Sequence, residues 1–245
     1  MTDFIVNYNM AELNIKNNSE EVAREFASFL AEQINASDKI NIALSGGSTP
    51  ALLFDILAAD YKELDWNKVH FYWGDERCVP PDDDESNFKM TKKHLLNHIS
   101  MPVDNIHRVR GENDPGEEAL RYAKHIHKKL PSKGSIPKFD VIILGMGTDG
   151  HTASIFPHEM NLLHEEEFCA VATHPESGQK RVTLTGNVIN AAANICFLVT
   201  GASKNEKVRE IFGQSGDYNS YPSSHIKAVS GKLYWFMDSA AAEGL

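Results

Sequence analysis

The sequence predicts an α/β fold with a doubly wound, mostly parallel sheet that carries helices on both faces, a Rossmann-like arrangement in a single domain over residues 1–245. Three observations predict it. Segments with helical periodicity alternate with short apolar segments along most of the 245 residues, as in βα repeats. The apolar segments are nearly continuous runs, which is typical of strands buried on both faces. The length suits one large domain or two small ones, and no linker composition favours two.

The first elements follow from local signals. Asn18 and Glu21 have the spacing of a helix cap and its capping-box partner, and an apolar helical stripe follows them. The stripe consists of Val22, Phe26, Phe29, Leu30 and Ile34. Residues 39–44 (KINIAL) then predict a buried strand that ends in a Ser-Gly-Gly turn. Because Thr49 is a favoured cap residue and proline is favoured in the first turn, we expect the next helix to begin at Pro50.

The same order recurs in the rest of the chain. Further strands are predicted at residues 69–73, 139–144, 181–185, 195–200 and 232–237. Further helices are predicted around residues 95–96 and over 119–130 and 203–212, and residues 74–87 are expected to form a long polar loop. Because helices separate most of these strands, we expect the strands to join one mostly parallel sheet.

The charge balance excludes one class of partner. The chain has 24 Lys and Arg residues against 34 Asp and Glu residues, a formal net charge of −10, and its densest charged run, residues 82–85, is acidic. Nucleic-acid binders take much of their affinity from neutralised phosphates and carry basic surfaces. We therefore expect no nucleic-acid partner.

Cysteine content and the N-terminal sequence indicate an intracellular protein. The three cysteines, Cys78, Cys169 and Cys196, are an odd number without C-x-x-C spacing, which disfavours a disulfide framework or a thiolate zinc site. The N-terminal residues lack a basic stretch followed by an apolar core, and no window approaches 18 consecutive apolar residues. We expect a cytoplasmic location and no membrane partner.

One pair of histidines has a spacing that a metal ion could use. His94 and His98 stand at positions i and i+4 of a predicted helix and could bind one ion. The pattern H-E-x-x-H is absent, and there is no obvious third ligand. A structural or solvent-exposed role is therefore favoured, and we expect no metal site.

Ligands of open α/β sheets bind beyond the carboxyl ends of the strands, and the loop after the first predicted strand has the composition of a phosphate site. Gly46 and Gly47 allow close approach of backbone N–H groups to an anion at a helix N-terminus, and Ser48 and Thr49 add hydroxyl donors. The Gly-Lys-Ser/Thr ending of a nucleoside triphosphate loop is absent. A tight turn with a helix cap is the alternative interpretation.

The second loop places three charged residues, Asp75, Glu76 and Arg77, directly after an apolar strand. Surface charge at a strand exit and a mobile flap are the alternatives to a functional role.

The third loop, residues 145–151, contains the pattern G-x-G-x-x-G after a strand. A dinucleotide site needs a sizeable helix after the glycines and an acid at the end of a second strand, whereas Pro157 interrupts this segment early. The loop still contains Asp149 and His151 among glycines at the end of a strand. Such glycines allow the imidazole of His151 to point into a cleft, where it could act as a general base. The alternative is that His151 is a loop histidine without a catalytic role.

Six motifs in this order resemble the 6-phosphogluconolactonase family, which shares a superfamily with the glucosamine-6-phosphate isomerases (deaminases). The motifs are SGGSTP at 45–50, GDERCVP at 74–80, LGMGTDGHTASIFP at 144–157, RVTLT at 181–185, TGASK at 200–204, and a closing strand with Trp235 and Asp238. Together they cover most of the chain.

The resemblance implies hydrolysis of 6-phospho-D-glucono-1,5-lactone without a metal or organic cofactor. It assigns the substrate phosphate to Arg181 and Lys204 together with the glycine-rich loop at 46–49. It makes His151 the general base that activates water, with Asp149 orienting it. Arg77 becomes a candidate for stabilising the oxyanion or binding the polar end of the substrate.

Asp75 is harder to assign from the resemblance. In the isomerase branch, the aspartate at this position moves protons on the sugar carbons. Here it is expected to fix Arg77 or a water molecule.

Three alternatives stand beside this interpretation. The first is glucosamine 6-phosphate isomerisation and deamination, but the isomerase branch has a glutamate where this chain has Phe156, and Asp-Glu-Tyr where this chain has Asp-Glu-Arg at 75–77. The second is a nicotinamide-dependent dehydrogenase that uses the G-x-G-x-x-G loop. The third is a sugar-phosphate-binding protein without catalysis, which the presence of His151 disfavours. A monomer or a small homo-oligomer is expected.

Overall fold

A computed structural model describes residues 11–133 and 136–245, and its main feature is a seven-stranded sheet. The sheet has the order β1-β12-β11-β8-β2-β3-β5, and all neighbouring strands in it are parallel. Its strands are β1 (Ala11–Lys16), β2 (Ile40–Leu44), β3 (Val69–Trp73), β5 (Ile106–His107), β8 (Val141–Leu144), β11 (Asn194–Val199) and β12 (Lys232–Asp238). β2 and β8 at the centre are buried along their whole length.

Two smaller sheets are antiparallel. One has the order β4-β10-β9 and consists of β4 (Asp75–Arg77), β9 (Cys169–Thr173) and β10 (Lys180–Leu184). The other is the hairpin of β6 (Ser132–Lys133) and β7 (Ile136–Pro137). Gly74 joins the first of these to the large sheet, because its N–H donates to Leu44 and its carbonyl accepts from Leu184, both at 2.8 Å.

The helices connect the parallel strands. They are α1 (Ser19–Asn35), α2 (Ser48–Asp60), α3 (Asn87–Thr91), α4 (Pro115–Lys129), α5 (Gly186–Ala191) and α6 (Asn205–Gly213). A π-helical turn, Lys92–Leu96, continues α3, and shorter 3₁₀ turns occupy several loops, among them Pro157–Leu163. None of the helices in residues 11–133 and 136–245 is long and apolar enough to span a bilayer.

The winding direction of the chain reverses at the centre of the large sheet. From β1 through β2 and β3 to β5 the chain moves towards one edge, and from β8 through β11 to β12 it moves back towards the other. Because crossovers between parallel strands are right-handed, α1 and α2 cover one face and α4 and α6 the opposite face. The neighbours β2 and β8 therefore form the switch point, where open α/β sheets bind ligands. The predicted fold class is confirmed.

Several local predictions are also confirmed. The amide N–H of Glu21 donates to the Asn18 side chain at 2.9 Å, which caps α1 as predicted. The strands predicted around residues 39–44, 69–73, 139–144, 195–200 and 232–237 are present within one or two residues of the predicted bounds.

Three local predictions are wrong. Thr49 does not cap α2: the helix begins at Ser48 after Gly47, whose φ is +109°, and the Thr49 hydroxyl instead pairs with Thr200 at 2.8 Å. Residues 74–87 are not all loop, since they contain β4. The strand predicted at 181–185 is confirmed as β10, but the expectation that it joins the mostly parallel sheet is wrong, because β10 pairs antiparallel with β4 and β9.

A chain of three histidines lies at the β5 edge of the large sheet. Nδ1 of His70 is 3.1 Å from Nε2 of His107, and Nδ1 of His107 is 2.9 Å from Nε2 of His125. Each of these two hydrogen bonds needs an N–H donor on one ring and a nitrogen lone pair on the next. Three neutral imidazoles satisfy both bonds, because a neutral imidazole has one of each. His107 is 6 % exposed and stacks on Tyr72. Burial, followed by the charges of the other two histidines, lowers the pKa of His107 to about 3, and burial also lowers the pKa of His70 and of His125.

This chain predicts a loss of stability in mild acid. A histidine whose pKa is lowered in the folded state gives stability that is present above the unfolded pKa, near 6.5, and lost as the pH falls towards the folded pKa. Between pH 7 and 5 we expect His107 to account for about 1 to 2 kcal/mol of the free energy of unfolding. Urea unfolding at the two pH values measures this loss.

The matched variants are His107→Phe, which keeps a ring against Tyr72, and His98→Gln, which changes an exposed histidine. Between pH 7 and 5 the free energy of unfolding of His107→Phe should fall less than that of the wild type, whatever its value at pH 7. That of His98→Gln should fall as much as that of the wild type. An equal loss in His107→Phe would contradict the prediction.

Candidate active site

Four loops meet beyond the carboxyl ends of β11, β8, β2 and β3, which are adjacent in that order. They enclose a cleft of about 250 Å³. Three cavities have larger volumes, of about 310, 540 and 340 Å³; the first two lie against α6 and the third against β1 and α1, and none of the three is lined by the loops that follow β2, β3, β8 and β11. The cleft at the switch point instead receives side chains from every loop that the sequence singled out, which makes it the candidate site.

Three basic side chains, Arg77, Arg181 and Lys204, line this cleft. Within residues 11–133 and 136–245, none of them has a carboxylate oxygen within 4 Å, and the buried Nε atoms of both arginines have no hydrogen-bond partner. Burial lowers the pKa of Arg181, and the charge of Arg77 lowers it further. Burial also lowers the pKa of Lys204. Unpaired, partly desolvated cations of this kind are suited to bind an anion.

The strand register explains why two of these cations are neighbours. Arg77 on β4 pairs directly with Arg181 on β10. Like charges at directly opposed positions of antiparallel strands destabilise the pair. An anion bound between them would remove this repulsion. Part of the binding energy for an anion is therefore built into the second sheet.

The glycine-rich loop contributes backbone rather than hydroxyl groups. Ser45, Gly46 and Gly47 line the cleft, directly before the N-terminus of α2. Ser48 is exposed at the first position of the helix, and Thr49 bonds to Thr200. A Cβ atom at Gly46 would lie 2.0 Å from Oδ1 of Asn87, so glycine is required for these two loops to approach each other.

His151 and Asp149 form a hydrogen-bonded pair. Nδ1 of His151 lies 2.6 Å from Oδ1 of Asp149, which also accepts the backbone N–H of His151 at 3.1 Å. Burial alone would raise the pKa of Asp149, but the hydrogen bond from His151 and the charge of that imidazole lower it to about 2. A carboxylate has only acceptors, so Nδ1 carries the hydrogen, and in the neutral form of the ring Nε2 keeps its lone pair. That is the state a general base needs.

The backbone around this pair is held in place. The Gly147 N–H donates to the His151 carbonyl at 2.9 Å, and the Thr152 hydroxyl donates to the Gly145 carbonyl, also at 2.9 Å. A Cβ atom at Gly147 would lie 2.2 Å from Nδ1 of His151. The glycine pattern of this loop therefore makes room for the histidine and its carboxylate, and the loop is followed by a turn and a 3₁₀ segment rather than by a helix.

The chain matches the sequence model of one protein family. The model describes glucosamine-6-phosphate isomerases/6-phosphogluconolactonase and matches residues 15–235. The chain belongs to this family.

Several relatives that resemble the chain are named 6-phosphogluconolactonase. A 6-phosphogluconolactonase of Haemophilus influenzae is 45% identical over 224 residues, 91% of this chain and 93% of the relative. A 6-phosphogluconolactonase of Treponema pallidum is 45% identical over 196 residues, 78% of this chain and 81% of the relative. The solved 6-phosphogluconolactonase from Trypanosoma cruzi has a TM-score of 0.87 at 30% identity, over 97% of both chains. A monomeric glucosamine-6-phosphate deaminase, 20% identical with a TM-score of 0.78, shows only that the fold is shared.

In this member of the glucosamine-6-phosphate isomerase/6-phosphogluconolactonase family, the three charged residues after β3 point to different sides. They lie on β4, where side chains alternate between faces. Asp75 and Arg77 line the cleft, and Glu76 is buried on the other side. Glu76 accepts three backbone N–H groups and the Ser86 hydroxyl, at 2.7 to 3.1 Å. Burial raises its pKa, although the N–H groups oppose this. Glu76 thus anchors the long loop to the start of α3.

Four residues of the site had no role in the interpretation of the sequence. They are Ser45 and Asn87, which line the cleft, Glu76, and Ser154. The fully buried Ser154 hydroxyl donates to Oδ2 of Asp75 at 2.6 Å and lies 3.5 Å from Nη1 of Arg181. The inward position of Glu76 follows only once β4 is known to be a strand, because side chains alternate between the two faces of a strand.

His94 and His98, whose spacing a metal ion could use, have separate contacts. Nδ1 of His94 lies 2.8 Å from Asp55, and Nε2 of His98 lies 2.9 Å from the Lys93 carbonyl. Among the residues that the structure describes, no group of three His, Cys, Asp or Glu side chains is placed to hold a metal ion.

Proposed function

We propose that the protein hydrolyses 6-phospho-D-glucono-1,5-lactone to 6-phospho-D-gluconate, the second step of the oxidative pentose phosphate pathway. The observation that carries the proposal is the joint presence, in one cleft, of an imidazole hydrogen-bonded to a carboxylate and of three basic side chains that form no salt bridge in the described residues. The names of the relatives support the same reaction. A phosphorylated lactone needs both elements: an anion site and a base for water.

Binding of the phosphate is assigned to one side of the cleft. Arg181 and Lys204 supply charge, and the backbone at Gly46 and Gly47, at the N-terminus of the 13-residue α2, supplies N–H groups and a favourable dipole. Ser48 and Thr49 act through the helix start that they form. A dianion held between two cations and a helix terminus fixes the position of the lactone ring.

The proposed reaction is a base-assisted addition of water. Nε2 of His151 removes a proton from water as the water oxygen bonds to the lactone carbonyl carbon, and the carbonyl becomes an oxyanion that Arg77 stabilises. The C–O ring bond then breaks, and the ring oxygen leaves with the proton held by His151. The product is a carboxylic acid with a free hydroxyl, so one water is consumed and nothing is oxidised or reduced.

Two carboxylates are given supporting roles. Asp149 holds the His151 ring in the reactive tautomer through Nδ1 and stabilises the imidazolium that forms. Asp75 holds the Ser154 hydroxyl, and its charge favours the protonated form of the neighbouring Arg181. Each step uses side chains of this chain and water.

The site gives no support to the other interpretations. Glucosamine 6-phosphate isomerisation would need a second proton carrier beside the histidine, and the ring beside His151, 4.8 Å away, is the buried Phe156. A dinucleotide would need a helix after the glycines, where the chain has a turn. A binding protein without catalysis would not need the ordered pair of His151 and Asp149.

The test is an assay with freshly generated lactone, corrected for spontaneous hydrolysis. We expect saturable hydrolysis of the phosphorylated lactone and weak or no hydrolysis of the unphosphorylated one, because Arg181, Lys204 and the start of α2 hold the substrate through its phosphate. Release of ammonia from glucosamine 6-phosphate in proportion to enzyme turnover would overturn the assignment.

We also propose a cytoplasmic location and a monomeric or small homo-oligomeric state. Cys78, Cys169 and Cys196 are free thiols, which supports an intracellular location, and a small-molecule substrate requires no partner protein.

A further inference from the structure

We propose that Tyr221 is a positioning residue for the general base, holding the turn on which His151 stands. This inference rests on the proposed lactonase function. Tyr221 lies 70 residues after His151 in the sequence and is not among the residues lining the cleft, so it would act through the backbone of the loop.

The first observation is the contact with Gly150. This glycine directly precedes His151 and has a φ of +83°. A Cβ atom placed on it would lie 2.6 Å from Cβ and from Cγ of Tyr221, so the tyrosine side chain packs directly on the Gly150 backbone. The same segment adds a hydrogen bond, because the Ser223 N–H donates to the Gly150 carbonyl at 3.1 Å.

The second observation is how firmly the tyrosine itself is held. It is 5 % exposed. Its hydroxyl donates to the carboxylate of Glu210. The ammonium of Lys207 lies over the ring, 4.8 Å from the centroid, and 3.7 Å from the same carboxylate. Ring and hydroxyl are therefore fixed by two side chains of α6.

The third observation is the place of α6 in the site. Lys204, a cation of the cleft, immediately precedes this helix, and Glu210 and Lys207 lie within it. Tyr221 thus connects the helix that begins at the anion site to the turn that carries the base. The Gly150 N–H bonds to the Gly147 carbonyl at 3.1 Å, and Gly147 contacts the His151 ring, so a shift at Gly150 would be passed to the imidazole.

These contacts predict a loss of rate without a loss of binding. Removing the side chain leaves Gly150 free to relax, and a displacement of about 1 Å at a catalytic group can cost roughly a factor of 10². For Tyr221→Ala we expect kcat to fall by about 10- to 100-fold, with KM and the Kd of 6-phosphogluconate close to wild type. Tyr221→Phe keeps the ring on Gly150 and should keep most of the wild-type kcat.

The experiment compares kcat, KM and product affinity in the two variants, with Tyr218→Ala as a control that removes a tyrosine from the same segment. If Tyr221→Ala does not fold, Tyr221→Leu, which fills the space without a ring, replaces it and should show the same split. The proposal is overturned if the folded ring-less variant has wild-type kcat, if KM and Kd rise instead, or if Tyr218→Ala shows the same loss of kcat.

A second readout separates this proposal from the proposed function. The Nδ1 proton of His151, bonded to Asp149, should give a downfield NMR signal in the wild type and in Tyr221→Phe, and a weakened or shifted signal in Tyr221→Ala. If the wild type does not hydrolyse the lactone but the signal changes as described, the function is wrong and the positioning role stands. An unchanged signal in Tyr221→Ala overturns the positioning role whatever the activity.

Discussion

Replacing His151 with glutamine is expected to lower kcat for lactone hydrolysis by about 10²- to 10⁴-fold, the range that one positioned base contributes. The amide cannot accept a proton from water at neutral pH. The three cations and the glycine-rich loop should be unchanged, because the His151 side chain hydrogen-bonds to Asp149 and not to them. Binding of 6-phosphogluconate, measured by calorimetry, should therefore stay within about threefold of wild type, while the corrected lactonase assay shows the loss.

The matched control is His158→Gln. His158 lies in the same loop region, is exposed, and stacks on the other side of Phe156 with centroids 5.8 Å apart. It has no contact with Asp149, so its variant should keep wild-type kcat. Turnover of His151→Gln within a few fold of wild type would show that water is activated by another group. A parallel loss in His158→Gln would show that the aromatic packing, rather than the base, was disturbed.

The strands of the large sheet could be predicted from the sequence because each has a clear local signal. β2, β3, β8, β11 and β12 are apolar runs buried on both sides, and each ends in glycine or polar residues. The position of the switch point depends on the order of the strands in the sheet, which could not be predicted from the sequence. The loops that meet at the switch point could be predicted, because they contain small and charged residues.

The second sheet was not accessible, because its signals are non-local. β4 is three charged residues long, and no pattern of hydrophobicity marks it as a strand. Its existence depends on pairing with β10, more than 100 residues later in the chain. The opposition of Arg77 and Arg181 and the link from Ser154 to Asp75 both arise from that pairing, so neither could be read from spacing.

The hydroxyl groups of the glycine-rich loop show a different limit. Ser48 and Thr49 have the right chemistry for phosphate, but the helix begins at Ser48, two residues earlier than its cap signal predicted. The shift leaves Ser48 exposed and turns Thr49 towards Thr200, and Ser45 and the two glycines line the cleft instead. Boundaries of this kind are uncertain by a residue or two, and at a ligand-binding loop one residue changes which side chains are available.

The local charge of the cleft also differs from that of the chain. The net charge of −10 predicts no long polyanion as a partner, yet Arg77, Arg181 and Lys204 line one cleft. Because the interactions of buried charges are screened less than those at the surface, the cleft can attract a small dianion against the overall charge.

Replacing Arg181 with methionine is expected to raise KM by about 10- to 100-fold, since a hydrogen bond to a charged group contributes about 1.5 to 3 kcal/mol. Methionine keeps the apolar part of the side chain against Phe156, over which the guanidinium lies at 5.5 Å. kcat should change much less than KM, because the pair of His151 and Asp149 is not touched. The Kd of 6-phosphogluconate should rise in parallel with KM.

The same variant makes an opposite prediction for stability. In the free protein Arg181 faces Arg77 across the strand pair without a counter-ion, so removing one charge relieves repulsion and the thermal midpoint should stay level or rise. Lys180→Met, the neighbouring cation on β10 whose ammonium reaches Thr173 outside the cleft, should leave both KM and kcat unchanged. If Arg181→Met binds product normally, the phosphate lies elsewhere in the cleft. If Arg181→Met instead loses stability as well as affinity, Arg181 stabilises the fold in the free protein. The repulsion between the two arginines would then not contribute to anion binding.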